Sequence, residues 1–299
     1  MAIKKRNRFS CEFAVNTSLN FFEKGRYFFA FPVALRAVIC YNPDALLDER
    51  FLRYPSVALE QAFTTLSNMY EAAAKNYTDS VSQFTKHDSD GCEKIRARED
   101  TVDRYEDVLG LYLVKLSANS MNERETKLSA KILQSLTNIE RISDHAMNLT
   151  ELAEELHGDG ISFSDEAKSG LSLCMSAVNE IIGLAQNSLF NSDVEAAMKV
   201  GSLEPVIDVM TEKLKAQHTY RLQQGKCTLK LGFIFNDALS NLERIADHCS
   251  NLALIVLEST GIMPHSYEKS LGSGINADNF SDAFVEKYLS FPDISSEAQ

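Results

Sequence analysis

The sequence predicts an all-α protein made of two tandem three-helix bundles related by a pseudo-twofold repeat. Three observations support this prediction. The 299 residues include only 13 glycines, 6 prolines and no tryptophan, which disfavours a turn-rich all-β fold. From about residue 55 onward, apolar residues recur at helical spacing. A twelve-residue segment at 138–149 recurs, with changes, at 241–252.

The internal repeat defines the domains. Segments 138–149 (NIERISDHAMNL) and 241–252 (NLERIADHCSNL) are identical at eight of twelve positions, at an offset of 103. Upstream, the segment 99–103 corresponds to 204–208 at an offset of 105. Such similar offsets indicate two copies of a unit of about 100 residues, each long enough for three helices. We therefore assign residues 46–158 to repeat 1 and residues 163–260 to repeat 2.

The elements follow in order along the chain. Residues 1–45 are aromatic-rich but show no clear period, and they stay unassigned. Three long helices are predicted between about 55 and 156, with a turn at 86–91. After a stop at 157–160, three more are predicted from about 165 to 258, the first starting after Ser164. Pro205 is expected to kink or locally break its helix. Residues 261–299 are rich in Ser, Gly, Asn and Pro, which predicts a loosely ordered tail.

Two apolar stripes carry the helical assignment. In each stripe the residues recur at steps of three, four or seven, which places them on one helical face. The stripes consist of Ile132, Ile139, Ile142, Ala146, Leu149 and Ala153 in repeat 1, and of Leu239, Leu242, Ile245, Cys249, Leu252 and Val256 in repeat 2.

Composition excludes several classes of protein. There are 42 acidic and 30 basic residues, a formal charge of −12, which disfavours binding to nucleic acid or to an anionic leaflet. The most apolar stretch, 27–41, contains Pro32 and Arg36 and is shorter than the roughly 20 residues that span a bilayer. No signal peptide is recognisable. The six cysteines show no C-x-x-C spacing, so a reduced cytosolic protein is expected.

Acidic pairs are the candidate functional feature. Each repeat carries an E-x-x-x-D pair on its second helix and another on its third, and a spacing of four places both carboxylates on one helical face. Facing carboxylates from neighbouring helices build multinuclear metal sites in bundles. The pairs are Glu99 with Asp103, Glu140 with Asp144, Glu204 with Asp208, and Glu243 with Asp247.

The alternative is that these pairs are solvated faces, because four-residue spacings of acids are common in an acidic helical protein. Arg141 and Arg244 also stand three residues before Asp144 and Asp247, where they can neutralise them. Recurrence of both pairs in both repeats favours metal binding over this alternative.

Residues beside the pairs receive separate predictions. His145 and His248 directly follow the motif aspartates, and one position along a helix points about 100° away, so packing or hydrogen bonding is expected rather than metal ligation. Asn148 and Asn251 fall on the carboxylate face, either as hydrogen-bond partners of the ligands or as polar packing. Cys249 lies in an apolar stripe and is expected to be a buried, inert thiol.

Together these motifs resemble the PhoU family of phosphate-uptake regulators, whose repeats carry an E/D-x-x-x-D signature on paired helices. The likeness runs from about residue 47 to residue 258 and is strongest to the cytosolic C-terminal domain of bacterial sodium/phosphate cotransporters. It rests on the segments 47–51, 55–60, 99–107, 111–117, 140–145, 204–208, 225–227 and 241–251.

The resemblance implies two adjacent three-helix bundles, with iron or zinc clusters held by the eight paired acids named above. It implies a regulatory role in phosphate homeostasis rather than catalysis. The implied partner is a phosphate transporter or its membrane domain, with a sensor kinase and a homodimer as further candidates. The implied location is cytoplasmic, or peripheral at the inner face of the membrane through that partner.

One departure from the cotransporters matters. They carry a multi-helix membrane half before this module, and residues 1–45 do not resemble it, so sodium-coupled transport is not expected of this chain. A stand-alone regulator, a split-gene product and a truncated paralogue all stay open. So does a metal-free interaction module that docks on a transporter or kinase. A carboxylate-bridged di-iron oxidase is disfavoured, because the repeated acidic motifs contain no E-x-x-H pair.

Overall fold

The computed structural model describes residues 46–261 and 277–289. After a 3-10 helix at Glu49–Arg53, repeat 1 comprises α1 (Pro55–Gln83), α2 (Ser89–Ser117) and α3 (Glu123–Gly158). Repeat 2 comprises α4 (Asp165–Asn191), α5 (Val194–Gln223) and α6 (Leu229–Ser259). A further helix, α7, spans Ala277–Tyr288. The all-α prediction is confirmed, and the unassigned segment 1–45 lies outside the described residues.

Local capping fixes where several helices begin. Asn122 forms a capping box at the start of α3, in which its side chain accepts from the backbone of Glu125 and the Glu125 carboxylate accepts from the backbone of Asn122. Ser164 caps α4 as predicted, accepting from the backbone N–H of Ala167. Asp193 and Thr228 cap α5 and α6 in the same way. Within each repeat, short connections make successive helices pack as neighbours.

The two predicted apolar stripes are buried, and every residue in them is at most 1% exposed. All of these residues except Ala153 belong to one continuous cluster of buried side chains that includes residues of both repeats. The repeats meet mainly along α3 and α6, which run antiparallel because residue 145 faces residue 241 while residue 138 faces residue 248. A second junction joins α1 and α4, where the Tyr70 hydroxyl donates to the carbonyl of Ile182.

Three local predictions need correction. The turn predicted at 86–91 lies earlier, because α1 ends at Gln83 and α2 already begins at Ser89. Of the kink or local break expected at Pro205, the break is absent: α5 continues through this residue, and its neighbours Leu203, Val206 and Ile207 are buried in the core. The tail is not loose throughout.

The tail forms α7, and two of its side chains, Phe284 and Tyr288, are buried. Lys287 and Tyr288 both contact the carboxylate of Glu180 on α4, the lysine at 2.8 Å. These contacts anchor α7 to repeat 2. The amphipathic spacing of Phe284 and Tyr288 is the sequence signal for this helix.

Within the described residues, no helix is both long enough and apolar enough to cross a membrane. Four of the six cysteines lie there, at 92, 174, 227 and 249, and none of these four forms a disulfide.

Candidate metal centre

Two clusters of carboxylates form at equivalent places in the two repeats. In repeat 1, α2 presents Glu99 and Asp103 to Asp144 of α3, and an oxygen from each lies within 4.8 Å of the other two. In repeat 2, oxygens of Glu204, Asp208 and Asp247 meet the same limit. Six of the eight predicted residues therefore come together, three in each repeat. We call these groups cluster 1 and cluster 2.

The remaining two acids, Glu140 and Glu243, flank the clusters and differ from each other. Glu140 has a side chain only 13% exposed, and its Oε2 is buried with no hydrogen-bond partner among the described residues. The nearest cationic atom recorded for it is Arg141 Nε, 3.4 Å away. Glu243 Oε2 instead accepts a hydrogen bond from Lys215 Nζ at 2.9 Å. One flanking carboxylate is thus poorly compensated, while the other is held by an ammonium group.

Crowding and burial make these carboxyl groups hard to ionise. Burial, reinforced by Asp103 and Asp144, raises the pKa of Glu99 to about 7. Burial and a hydrogen bond to Asp144 raise the pKa of Glu140 to about 8. Burial, reinforced by Asp208 and Asp247, raises the pKa of Glu204 to about 7. Near neutral pH each cluster therefore favours binding a positive species, a proton or a metal cation.

The arginine neutralisation foreseen from the sequence also occurs. Arg141 Nη1 lies 3.0 Å from Asp144 Oδ2, and Arg244 Nη1 lies 3.2 Å from Asp247 Oδ2. Both arginines are more than half exposed, and ion pairs of this kind contribute little. Each pair compensates one carboxylate of the three in its cluster, so an excess of negative charge is left.

Next to the clusters, a symmetric hydrogen-bond network joins α3 and α6. Nδ1 of His145 lies 2.9 Å from Oδ1 of Asn241, and Asn148 donates to the same oxygen at 3.1 Å. Around the pseudo-twofold axis, His248 and Asn251 contact Oδ1 of Asn138 in the same way, at 3.1 and 3.2 Å. The two imidazole rings stack with centroids 5.6 Å apart.

The histidines therefore take the hydrogen-bonding role that the sequence predicts. Asn148 and Asn251 brace the repeats against each other, which is the polar-packing alternative. The buried thiol of Cys249 is also confirmed, since it is fully buried and burial raises its pKa.

Three residues of the site are not among those predicted from the sequence. Asn138 and Asn241 open the repeated motif, and their recurrence as asparagine is the signal for them. The third is Lys215. Aligning α2 with α5 at the offset of 105 places it opposite Gly110, and that difference between the repeats was its signal.

Buried oxygens without partners test whether the clusters fit a metal. Glu140 Oε2 and Asp208 Oδ1 are both buried and lack a hydrogen-bond partner among the described residues. An unpaired buried carboxylate oxygen is costly unless a cation neutralises it. All-oxygen ligand sets suit hard and borderline cations. The donor atoms present therefore fit a metal site.

The sequence matches one family model, the PhoU domain, at residues 66–153 and again at 172–256, once in each repeat. Its relatives include the phosphate-specific transport system accessory protein PhoU homolog 1 of Thermotoga maritima, 22% identical over 220 residues, which are 73% of this chain and 87% of that protein. The corresponding PhoU homolog of Pseudomonas aeruginosa is 24% identical over 222 residues, 72% of this chain and 88% of that protein.

Two solved structures share the fold. The crystal structure of PhoU from Pseudomonas aeruginosa has a TM-score of 0.64 at 22% identity and covers 69% of this chain and 98% of that one. The phosphate transport system regulatory protein PhoU from Streptococcus pneumoniae has a TM-score of 0.62 at 13% identity, covering 69% of this chain and 96% of that one.

Proposed function

The chain belongs to the PhoU family, and from that premise we propose that it is a metal-binding regulatory accessory protein of phosphate uptake. Proteins of this family are regulatory accessory proteins and not enzymes. The observation that carries the metal-binding part is the pair of equivalent carboxylate clusters, together with a buried oxygen that lacks a hydrogen-bond partner on Glu140 beside cluster 1 and on Asp208 within cluster 2.

The proposed ligands are the eight paired acids, and the proposed metals are iron or zinc. A bound cation neutralises the crowded carboxylates and links the second helix of each repeat to the third, since each cluster takes residues from both. Burial and mutual repulsion destabilise the negative charges of the carboxylates, so that a bound cation is favoured. The α3–α6 network fixes the two clusters relative to each other.

The proposed partner is a phosphate transporter or its membrane domain, met in the cytoplasm at the inner face of the membrane. Support comes from relatives described as accessory proteins of a phosphate-specific transport system. The likeness to the cytosolic domain of sodium/phosphate cotransporters makes such a membrane domain one candidate. A sensor kinase and a second copy of this chain are further candidates.

Elemental analysis tests metal binding. The purified protein is expected to carry iron or zinc, and the variant Glu140→Gln, Asp144→Asn, Glu243→Gln, Asp247→Asn is expected to lose it. A matched control makes the same charge change at four exposed acids outside the clusters, Glu60, Glu71, Asp90 and Asp107. Equal metal content in both quadruple variants would refute the site.

Co-sedimentation with inside-out membrane vesicles tests the partner. Binding is expected to vesicles that contain the phosphate transporter and not to vesicles from a strain without it. Chelation of the metal is expected to weaken that binding. Full binding by metal-free protein would instead support the alternative, an interaction module that works without metal.

A further inference from the structure

The two carboxylate clusters have different electrostatic surroundings despite their matching positions. Aligning α2 with α5 at the offset of 105 pairs Glu106 with Thr211, and Gly110 with Lys215. Repeat 1 thus has an acid and no side chain where repeat 2 has a hydroxyl and an ammonium group. On this helix face the two replacements make repeat 2 more positive by two formal charges.

Both replacements act directly on the proposed ligands. Lys215 Nζ donates to Glu243 Oε2 at 2.9 Å, and Thr211 Oγ1 lies 3.5 Å from the same oxygen. In repeat 1, by contrast, the equivalent positions hold the acid Glu106 and Gly110, so neither offers a cationic group to Glu140.

We propose that Lys215 makes the two sites unequal, so that cluster 1 binds its cation first and more tightly than cluster 2. This inference rests on the proposed metal binding. A cation site strengthens with the negative charge and the number of its free ligands. Glu140 Oε2 has no hydrogen-bond partner among the described residues and only the half-exposed Arg141 beside it, at 3.4 Å, so it can join cluster 1 without breaking a lysine bond. Glu243 can join cluster 2 only after its bond to Lys215 is broken.

Lys215 weakens metal binding at cluster 2 without preventing it. Its side chain is 32% exposed, so the ammonium group can turn into solvent when a metal ion displaces it. The expected difference is therefore graded, about tenfold in dissociation constant, which corresponds to about 1.4 kcal/mol, because solvent screens an ion pair that is about one-third exposed.

Substitutions at Lys215 and at the equivalent Gly110 test the proposal. Metal-free full-length protein is titrated calorimetrically with Zn²⁺ alone, and the sites are assigned with Glu140→Gln and Glu243→Gln. The wild type is expected to show two classes of site, the tighter one sensitive to Glu140→Gln. Lys215→Ala is expected to tighten the weaker class about tenfold, and Gly110→Lys to weaken the tighter class by a similar factor.

Controls separate the site effect from general charge and folding effects. Lys213→Ala removes the same charge from the same helix, two residues away, and is expected to leave both classes unchanged. A Cβ added at Gly110 meets only Leu136 Cδ1, at 4.0 Å, so a side chain fits there, and Gly110→Ala controls for the helix itself. Circular dichroism confirms that each variant is folded.

The outcomes are distinguishable. The inference would be overturned if the wild type showed two equal sites, or if Lys215→Ala and Gly110→Lys left both classes of site unchanged. Either result would leave the proposed metal binding standing. Zn²⁺ bound by neither the wild type nor Lys215→Ala would overturn both.

Discussion

At the scale of single residues, Glu140 shows how the site disfavours the charged form of a carboxyl group. Its neighbour Asp144 is ionisable, its Oε2 has no hydrogen-bond partner among the described residues, and its side chain is 13% exposed. Glu243 occupies the same place in repeat 2 but has Lys215 as a partner at 2.9 Å. The same residue type at the same motif position therefore has opposite consequences for the stability of the metal-free protein.

Glu140→Gln is expected to stabilise metal-free protein above neutral pH. The native pKa of Glu140 is raised to about 8, so between about pH 5 and pH 8 the native state holds a proton that the unfolded state has released. The free energy of unfolding therefore falls as pH rises through this window. Glutamine carries no ionisable group, so the variant avoids this loss.

Melting curves in chelator at about pH 5 and pH 8 measure the effect. Wild type and Glu140→Gln should differ little at the lower pH, and the variant should melt several degrees higher at the upper one, at about 2–4 °C per kcal/mol for a protein of this size. Glu243→Gln is the control and should bring no gain, because it leaves Lys215 without its carboxylate. An identical pH dependence in the wild type and Glu140→Gln would contradict the argument.

At the scale of the helices, sequence periodicity predicted most of what the structure contains. All six bundle helices were foreseen because their buried faces repeat with helical spacing. The convergence of Glu99 and Asp103 on Asp144 followed from spacing and repetition. Contacts between side chains far apart in sequence, such as Lys215 with Glu243, depend on how α5 packs on α6, and single-helix periodicity carries no such information.

Pro205→Ala is expected to stabilise the protein. Proline cannot donate the hydrogen bond that the carbonyl of Gly201 would receive in a regular helix, and a proline in a helix interior costs up to about 3 kcal/mol. Pro205 is exposed, so alanine loses little packing. Thermal denaturation measures the gain. Asp100→Ala at the equivalent position in α2 is the control with no backbone effect, and an unchanged melting temperature in Pro205→Ala would show that α5 already accommodates its proline without cost.

Loss of Asn138 or Asn241 is expected to destabilise the α3–α6 interface. Each asparagine oxygen accepts from one histidine and one asparagine of the opposite repeat, so alanine leaves one partly buried donor and one exposed donor without their acceptor. Each unsatisfied group costs about 1–3 kcal/mol when buried and less when water reaches it.

The symmetry of the network supplies the check. Asn138→Ala and Asn241→Ala should lower stability in chemical denaturation by similar amounts, because the two halves have the same geometry. Asn148→Ala, which removes only the exposed donor, should lower the stability less. A large loss from only one of the two acceptors would contradict a symmetric network.

At the scale of the whole molecule, the repeats share one core. The buried cluster includes residues from all six bundle helices, and the α1–α4 junction adds two polar contacts between the repeats. The Tyr70 hydroxyl donates to the carbonyl of Ile182 at 2.7 Å, and the Tyr77 hydroxyl donates to that of Met175 at 2.6 Å. The sequence repeat indicated two equal units but could not indicate how much surface each buries against the other.

This shared core predicts that the repeats do not fold independently. Residues 46–160 alone would expose Tyr70 and Tyr77, which are at most 1% exposed in the full chain, along with the apolar side chains of α3 that face α6. Lost apolar burial costs roughly 25 cal/mol per Å², and two large aromatic side chains with their hydroxyls contribute several kcal/mol, a large part of a typical net stability.

Calorimetry measures this cooperativity. The full chain is expected to unfold in a single transition over its bundle helices, whereas residues 46–160 should melt broadly and bind a hydrophobic dye before heating. Tyr70→Phe and Tyr77→Phe in the full chain should each cost about 0.5–1.5 kcal/mol while keeping the single transition, because only the hydrogen bond is removed. Two separate transitions in the full chain, or a sharp melt of residues 46–160 at the same temperature, would mean that the α1–α4 and α3–α6 junctions contribute little. The two proposed metal sites would then lie in units that fold separately, and the α3–α6 network could not couple them.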